Sequence, residues 1–168
     1  MNDLVLEFLE NVPENDKNNY QEMAEKAIVL GYKPKKDKTK NLCISFISSR
    51  YKTTLLRFVI EKDPSFRLKF YATKDYSEIF DKSIKWIIEK FNYKYVGCYG
   101  CGRCKENNPE GYSVVYDDGR KYFRCGFELI EIRDLNNSIK DEVLKMMENQ
   151  TKYYEEKMKE EHPTTAST

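Results

Sequence analysis

Apolar residues recur along this chain in two rhythms, and the switch between them separates helices from strands. Leu4, Val5, Phe8, Leu9 and Val12 fall at helical spacing, and Pro13 closes that segment. Asn15 or Asp16 is placed to cap a second helix. Its stripe is Tyr20, Met23, Ala24, Ala27, Ile28 and Leu30, and Gly31 ends it by accepting a positive φ. Lys33, Lys35, Lys36, Lys38 and Lys40 then surround Pro34, with Asp37 among them. Such a run reads as a solvated basic linker, with a phosphate-binding patch as the sharper alternative.

Beyond the linker the period drops to two. Leu42, Ile44 and Phe46 alternate with Cys43 and Ser45. Leu56, Phe58 and Ile60 alternate with Arg57, Val59 and Glu61, and Leu68 and Phe70 alternate with Arg67, Lys69 and Tyr71. Each run is the pattern of a strand with one face on a core, and Asp63-Pro64-Ser65 predicts the turn between the last two. Helical spacing returns from about Tyr76 to Phe91, where Phe80, Ile84, Ile87 and Phe91, broadened by Ile79 and Ile88, form a stripe fit to cover a sheet. A strand is expected at Phe127–Ile132. A long last helix follows, with Ile139, Val143, Met146, Met147, Gln150, Tyr154 and Met158 on its inner side. These elements predict one α+β domain over residues 1–159, a mostly antiparallel sheet packed by helices, and a mobile tail over residues 160–168.

Composition narrows the function classes. Across 168 residues, 29 Lys and Arg face 28 Asp and Glu, leaving a formal charge of +1. Binding driven mainly by nucleic-acid phosphates draws on a clear basic excess, which is missing here. The chain opens Met1-Asn2-Asp3 directly into an amphipathic segment, and no apolar run nears the ~20 residues of a membrane helix. The expectation is a cytoplasmic protein, in a compartment that keeps thiols reduced. Its five cysteines therefore point to metal or redox chemistry before disulfides, apart from Cys43, which reads as a small buried strand residue.

The other four follow the spacing Cys98-x2-Cys101-x2-Cys104-x20-Cys125. Two cysteines separated by two residues can aim both sulfurs at one ion, about 2.3 Å from zinc. Gly97, Gly100 and Gly102 give the segment the backbone freedom that three such ligands demand. Asp118-Gly119, between Tyr112–Tyr116 and Lys121–Cys125, signals a hairpin that carries Cys125 back to the first three. With Asp118-Gly119 as a two-residue turn, Tyr112 faces Cys125. Arg103, Lys105 and Arg124 flank the ligands and favour their thiolate forms. The reading is a structural zinc held by Cys98, Cys101, Cys104 and Cys125. An iron–sulfur cluster is the alternative, because the cysteine triplet also opens the bacterial ferredoxin pattern, although Gly126 stands where that pattern has proline. Disulfide or free redox thiols are the third choice. Zinc with four cysteine ligands has no open position, so it would staple the hairpin without activating water.

The three cysteines together with Asp118-Gly119-x2-Tyr122-x2-Cys125 resemble a module of small bacterial proteins of unknown function. The resemblance spans about Phe91 to Ile132. It implies a recurrent metal-type module and no activity.

Elsewhere catalytic signals are absent. The single histidine, His162, sits in the expected tail, and no phosphate loop, dinucleotide fingerprint or nucleophile elbow occurs. Thirteen tyrosines and nine phenylalanines remain. Tyrosines beside Arg57, Arg67 and Lys69 could line a pocket for an anionic or aromatic ligand, although tyrosine also simply suits a half-buried sheet. The leading expectation is a non-enzymatic domain, zinc-stapled, that binds a small molecule or a protein. Nucleic-acid binding through Arg103, Lys105, Arg120, Lys121, Tyr122 and Arg124, helped by the lysine linker, is the alternative, and redox sensing or electron transfer the third.

Overall fold

The computed structural model describes residues 1–105 and 108–163. Helices α1 (Asp3–Leu9) and α2 (Glu14–Val29) lead into strands β1 (Lys33–Lys36), β2 (Leu42–Ser48), β3 (Thr53–Ile60) and β4 (Pro64–Leu68). Helix α3 (Glu78–Lys90), the hairpin β5 (Gly111–Val115) and β6 (Lys121–Cys125), strand β7 (Ile130–Ile132) and helix α4 (Asn137–Glu161) complete the chain. The main sheet has the order β1-β2-β3-β4-β7 with every pair antiparallel, and β5-β6 forms a second, two-stranded sheet. The expected α+β class with an antiparallel sheet packed by helices is therefore what the chain adopts. Among the described residues no helix is long and apolar enough to cross a membrane.

Strand register explains why the period-two pattern works. Phe46, Leu56, Leu68 and Ile130 stand in one row across four strands, and Ile44, Phe58, Phe66 and Ile132 stand in the next. All eight are buried under the helices. Between these rows, on the opposite face, runs Ser45, Arg57, Arg67 and Glu131. Helices α1 and α2 bring Phe8 and Tyr20 onto Phe58 at ring separations of 4.9 and 5.1 Å. Helix α4 lies along α2, tied by the pairs Lys26–Glu148 and Lys140–Glu22, and buries Val143, Met146 and Met147. Each large aromatic buried this way contributes a few kcal/mol of transfer free energy, which makes this face the main source of stability.

Several expectations shift. The lysine-rich stretch is not a free linker, because Lys33–Lys36 pairs with β2 as an edge strand. Pro34 is tolerated there because an edge residue has no second neighbour to serve, and lysines discourage pairing with another chain. Helix α2 starts at Glu14, capped by the Pro13 backbone without a side-chain hydrogen bond, so neither Asn15 nor Asp16 is the cap. Pro64 and Ser65 lie within β4 rather than in the preceding turn, and β4 ends at Leu68. Strand β7 begins at Ile130, since Gly126–Glu128 turns. Helix α4 continues to Glu161, so the first residues of the expected tail are helical, and residues 164–168 lie outside the described part.

Candidate binding site beneath the cysteine module

The hairpin is anchored to the sheet by Tyr112. Its ring is buried 4.9 Å from that of Phe70, and its hydroxyl accepts the Phe70 N–H at 3.1 Å. The register differs by one residue from the expected one: Gly111 faces Cys125 and Tyr112 faces Arg124. The loop has three residues, closed by Gly119 N–H to Tyr116 O at 2.9 Å with Gly119 at φ +87. A type I turn followed by a left-handed glycine uses one more residue than the two-residue turn, which moves every pairing by one. Gly111 fits only without a side chain, as a Cβ there would meet Arg124 O at 2.4 Å.

Backbone hydrogen bonds bring the segments of Cys98, Cys104 and Cys125 to one end of this hairpin. Gly97 forms a parallel bridge with Arg124 and donates to Phe123 O, so Cys98 and Cys125 each follow directly on that bridge. On its other side, Gly126 donates to Glu110 O at 2.8 Å, and Glu110 N–H donates to Cys104 Sγ at 3.3 Å. Cys98 Sγ accepts from Gly100 N–H at 3.3 Å. Backbone amides aimed at sulfur also occur in metal-binding loops. Gly97, Gly100 and Gly102 all have positive φ, at +84, +65 and +73. All five cysteines are free thiols; Cys98 and Cys101 are exposed and Cys125 is buried. Among the described residues, no three His, Cys, Asp or Glu side chains are gathered closely enough to hold an ion. The four thiols are of the residue type that zinc takes, but their sulfurs are not drawn together.

Below this module lies a cavity of about 430 Å³. Cys101, Cys104 and Cys125 form part of its wall, the turn into β3, the segment just after β4 and the end of α4 another part, and Tyr51, Tyr71, Phe127 and Tyr154 supply aromatic surface. Its charge is predominantly positive. Arg50, Lys52, Lys69 and Arg103 reach it, and none of the four enters an ion pair among the described residues.

Lys69 is the unusual member. It is 5% exposed, and its ammonium donates to Thr53 Oγ1 at 3.0 Å. Phe127 lies across it, 5.8 Å from ring centre to nitrogen, and Arg103 stacks on the same ring at 5.4 Å. Burial, then the Arg103 charge, pushes the Lys69 ammonium down to about 8. Glu110 supplies the balancing acid on the far wall, receiving Lys157, the Tyr153 hydroxyl at 2.7 Å and the Tyr71 hydroxyl at 3.3 Å. The Tyr71 and Tyr154 hydroxyls lie 3.3 Å apart, and burial pushes the Tyr71 phenol far above its ordinary range.

The residues singled out as possible contacts separate into several places. Lys69 and Arg103 share the cavity. Arg57 lies on the open sheet face, 3.3 Å from Asp37 and bonded to Ser45 Oγ at 2.8 Å. Arg67 and Arg124 line a different cleft. Lys105 pairs with Glu160 on the surface at 3.1 Å, and Tyr122 packs on Tyr93 at 5.0 Å. The basic residues of the module do not share one face, because Arg124 is buried and Arg120 is held by Asp118 at 2.7 Å. Sequence reasoning missed Arg50, Lys52, Thr53, Glu110 and Lys157, which come from three distant stretches, the turn into β3, the approach to β5 and the end of α4, and carry no local motif. Lys157, three residues beyond Tyr154 on the inner stripe of α4, had the one usable signal. His162 also lines the cavity mouth rather than lying away from it.

No family model matches the chain, and neither a curated protein nor a solved structure shows detectable similarity to it. Function must therefore be argued from this geometry.

Proposed function

We propose that this chain is a non-enzymatic binding domain whose cavity takes a small anionic molecule bearing a carboxylate or phosphate. Lys69 carries the reading: a buried cation whose only hydrogen-bond partner among the described residues is a neutral hydroxyl sits in the wall of a cavity with three further cations that enter no ion pair among those residues. Isolated buried charge is costly, and an anion in the cavity would compensate it. The volume falls within the range of ordinary small-molecule sites, and the aromatic walls would grip the uncharged part of the ligand.

In this reading Cys98, Cys101, Cys104 and Cys125 hold one zinc ion whose role is to fix the cavity wall. The backbone N–H groups directed at Cys98 and Cys104 support it. Thermal-shift screening of carboxylates and phosphorylated small molecules at low salt tests the first part; complete silence across the panel would remove it. Elemental analysis of protein purified without added metal tests the second. About one equivalent of zinc is expected, whereas iron with visible colour would replace the staple by a redox cluster.

A further inference from the structure

A second cleft, of about 340 Å³, shares no lining residue with the first. It lies where the end of α3 (Ile87, Lys90, Phe91) meets Tyr95, the open sheet face at Arg67 and Glu131, and the turn at Glu128 and Leu129. Arg124 forms part of its wall. That side chain is only 4% exposed; one terminal nitrogen donates to Tyr95 O at 3.2 Å, and its Nε–H has no acceptor among the described residues. A guanidinium keeps its charge under all ordinary conditions, so a buried unsatisfied N–H on it leaves a charged donor without a partner. The one hydrogen bond of Arg124 to Tyr95 O leaves its Nε–H unused, and Tyr112, facing it across the hairpin, bonds elsewhere.

The surroundings indicate what would satisfy it. Phe91 and Tyr95 are 38% and 52% exposed and meet edge to face at 5.2 Å, so two aromatic rings stand in solvent beside a buried cation. Lys90 reaches the same cleft and has no carboxylate partner among the described residues; its ammonium rests on the Trp86 ring at 4.7 Å. Against Arg67, Lys90 and Arg124 stand Glu128 and Glu131, leaving one surplus positive charge. A dianion would be repelled by the two carboxylates, and a neutral carbonyl would accept the N–H without offsetting the buried charge.

We propose that this cleft is a second ligand site, which takes a compact aromatic monocarboxylate. Its carboxylate accepts from the Arg124 guanidinium, and its ring packs against Phe91 and Tyr95. The proposal is independent of the first cavity, since a failure there leaves Arg124 and its cleft unchanged.

Titration of the full ¹⁵N-labelled chain with phenylacetate, followed by the Arg124 Nε–H signal and the Phe91 and Tyr95 amides, tests it. Saturable shifts confined to these groups are expected, with phenylacetamide binding at least about tenfold more weakly. Phe91→Ala, an exposed position whose loss leaves the core intact, is expected to weaken binding about tenfold. Lys69→Met is expected to leave binding at this cleft unchanged. Absence of saturable shifts, equal shifts with phenylacetamide, or weakening by Lys69→Met to the same extent as by Phe91→Ala would each overturn the proposal.

Discussion

Replacing Lys69 by Met separates stability from binding, because a group retained for a ligand should be a burden without one. The Lys69 pKa falls from 10.5 to about 8, with burial the first cause. At about 1.4 kcal/mol per unit, holding the ammonium charged in its folded environment costs about 3 kcal/mol. Methionine removes that penalty and the hydrogen bond to Thr53, which contributes about 1 kcal/mol. The net gain is about 2 kcal/mol, a rise of roughly 4–8 °C in melting temperature for a chain of this size. The pH dependence is a sharper test. The folded pKa lies below the unfolded one, so the folded chain releases this proton first. Stability from this group therefore rises between about pH 8 and 10.5 and is lowest below about 8. Calorimetry in anion-poor buffer should find the variant more stable at pH 7 and the difference closing toward pH 10.5. A variant less stable at pH 7, or a difference independent of pH, would refute the view of Lys69 as an uncompensated buried charge.

Other residues allow independent checks. Tyr112→Phe leaves the Phe70 N–H without an acceptor and should lower stability by about 1–3 kcal/mol in urea titrations, with the hairpin amides exchanging faster. Gly126→Ala places a Cβ 2.6 Å from the Tyr71 ring and 2.7 Å from Glu110 O, and should cost at least about 1–3 kcal/mol on the same scale. Chelation, or Cys125→Ser, should lower the melting temperature by more than about 5 °C if the cysteines hold a structural ion, and an unchanged melt would refute that role. The Cys43 thiol, pushed up to about 11 by burial and by Asp37, should react with a disulfide reagent at pH 8 far more slowly than the exposed Cys98 and Cys101.

The sheet was legible because alternation survives wherever one face is covered: Ile44, Phe46, Leu56, Phe58 and Leu68 all went inward as their spacing predicts. Boundaries failed where a neighbouring strand overruled local chemistry. Lys33–Lys36 looks like a linker by charge, yet β2 offers it a partner, and Pro64 looks like a turn residue although it can begin a strand. The hairpin was recognisable from Asp118-Gly119, but its register depends on whether two or three residues form the loop, which the dipeptide alone does not decide. The cavity was the least legible part. Lys69 looked like one more alternating strand residue, and its significance comes from Phe127, Arg103 and Thr53, brought to it from three other places in the chain. Burial of a charge is a property of the assembled fold, so spacing cannot reveal it.

The most direct test of the cavity's role is isothermal titration at low salt of the anion giving the largest thermal shift, against the wild-type chain and Lys69→Met. The account predicts saturable one-to-one binding to the wild type, weakened at least about a hundredfold by the loss of the charged partner, about 3 kcal/mol. Equal affinity in the two proteins would contradict it.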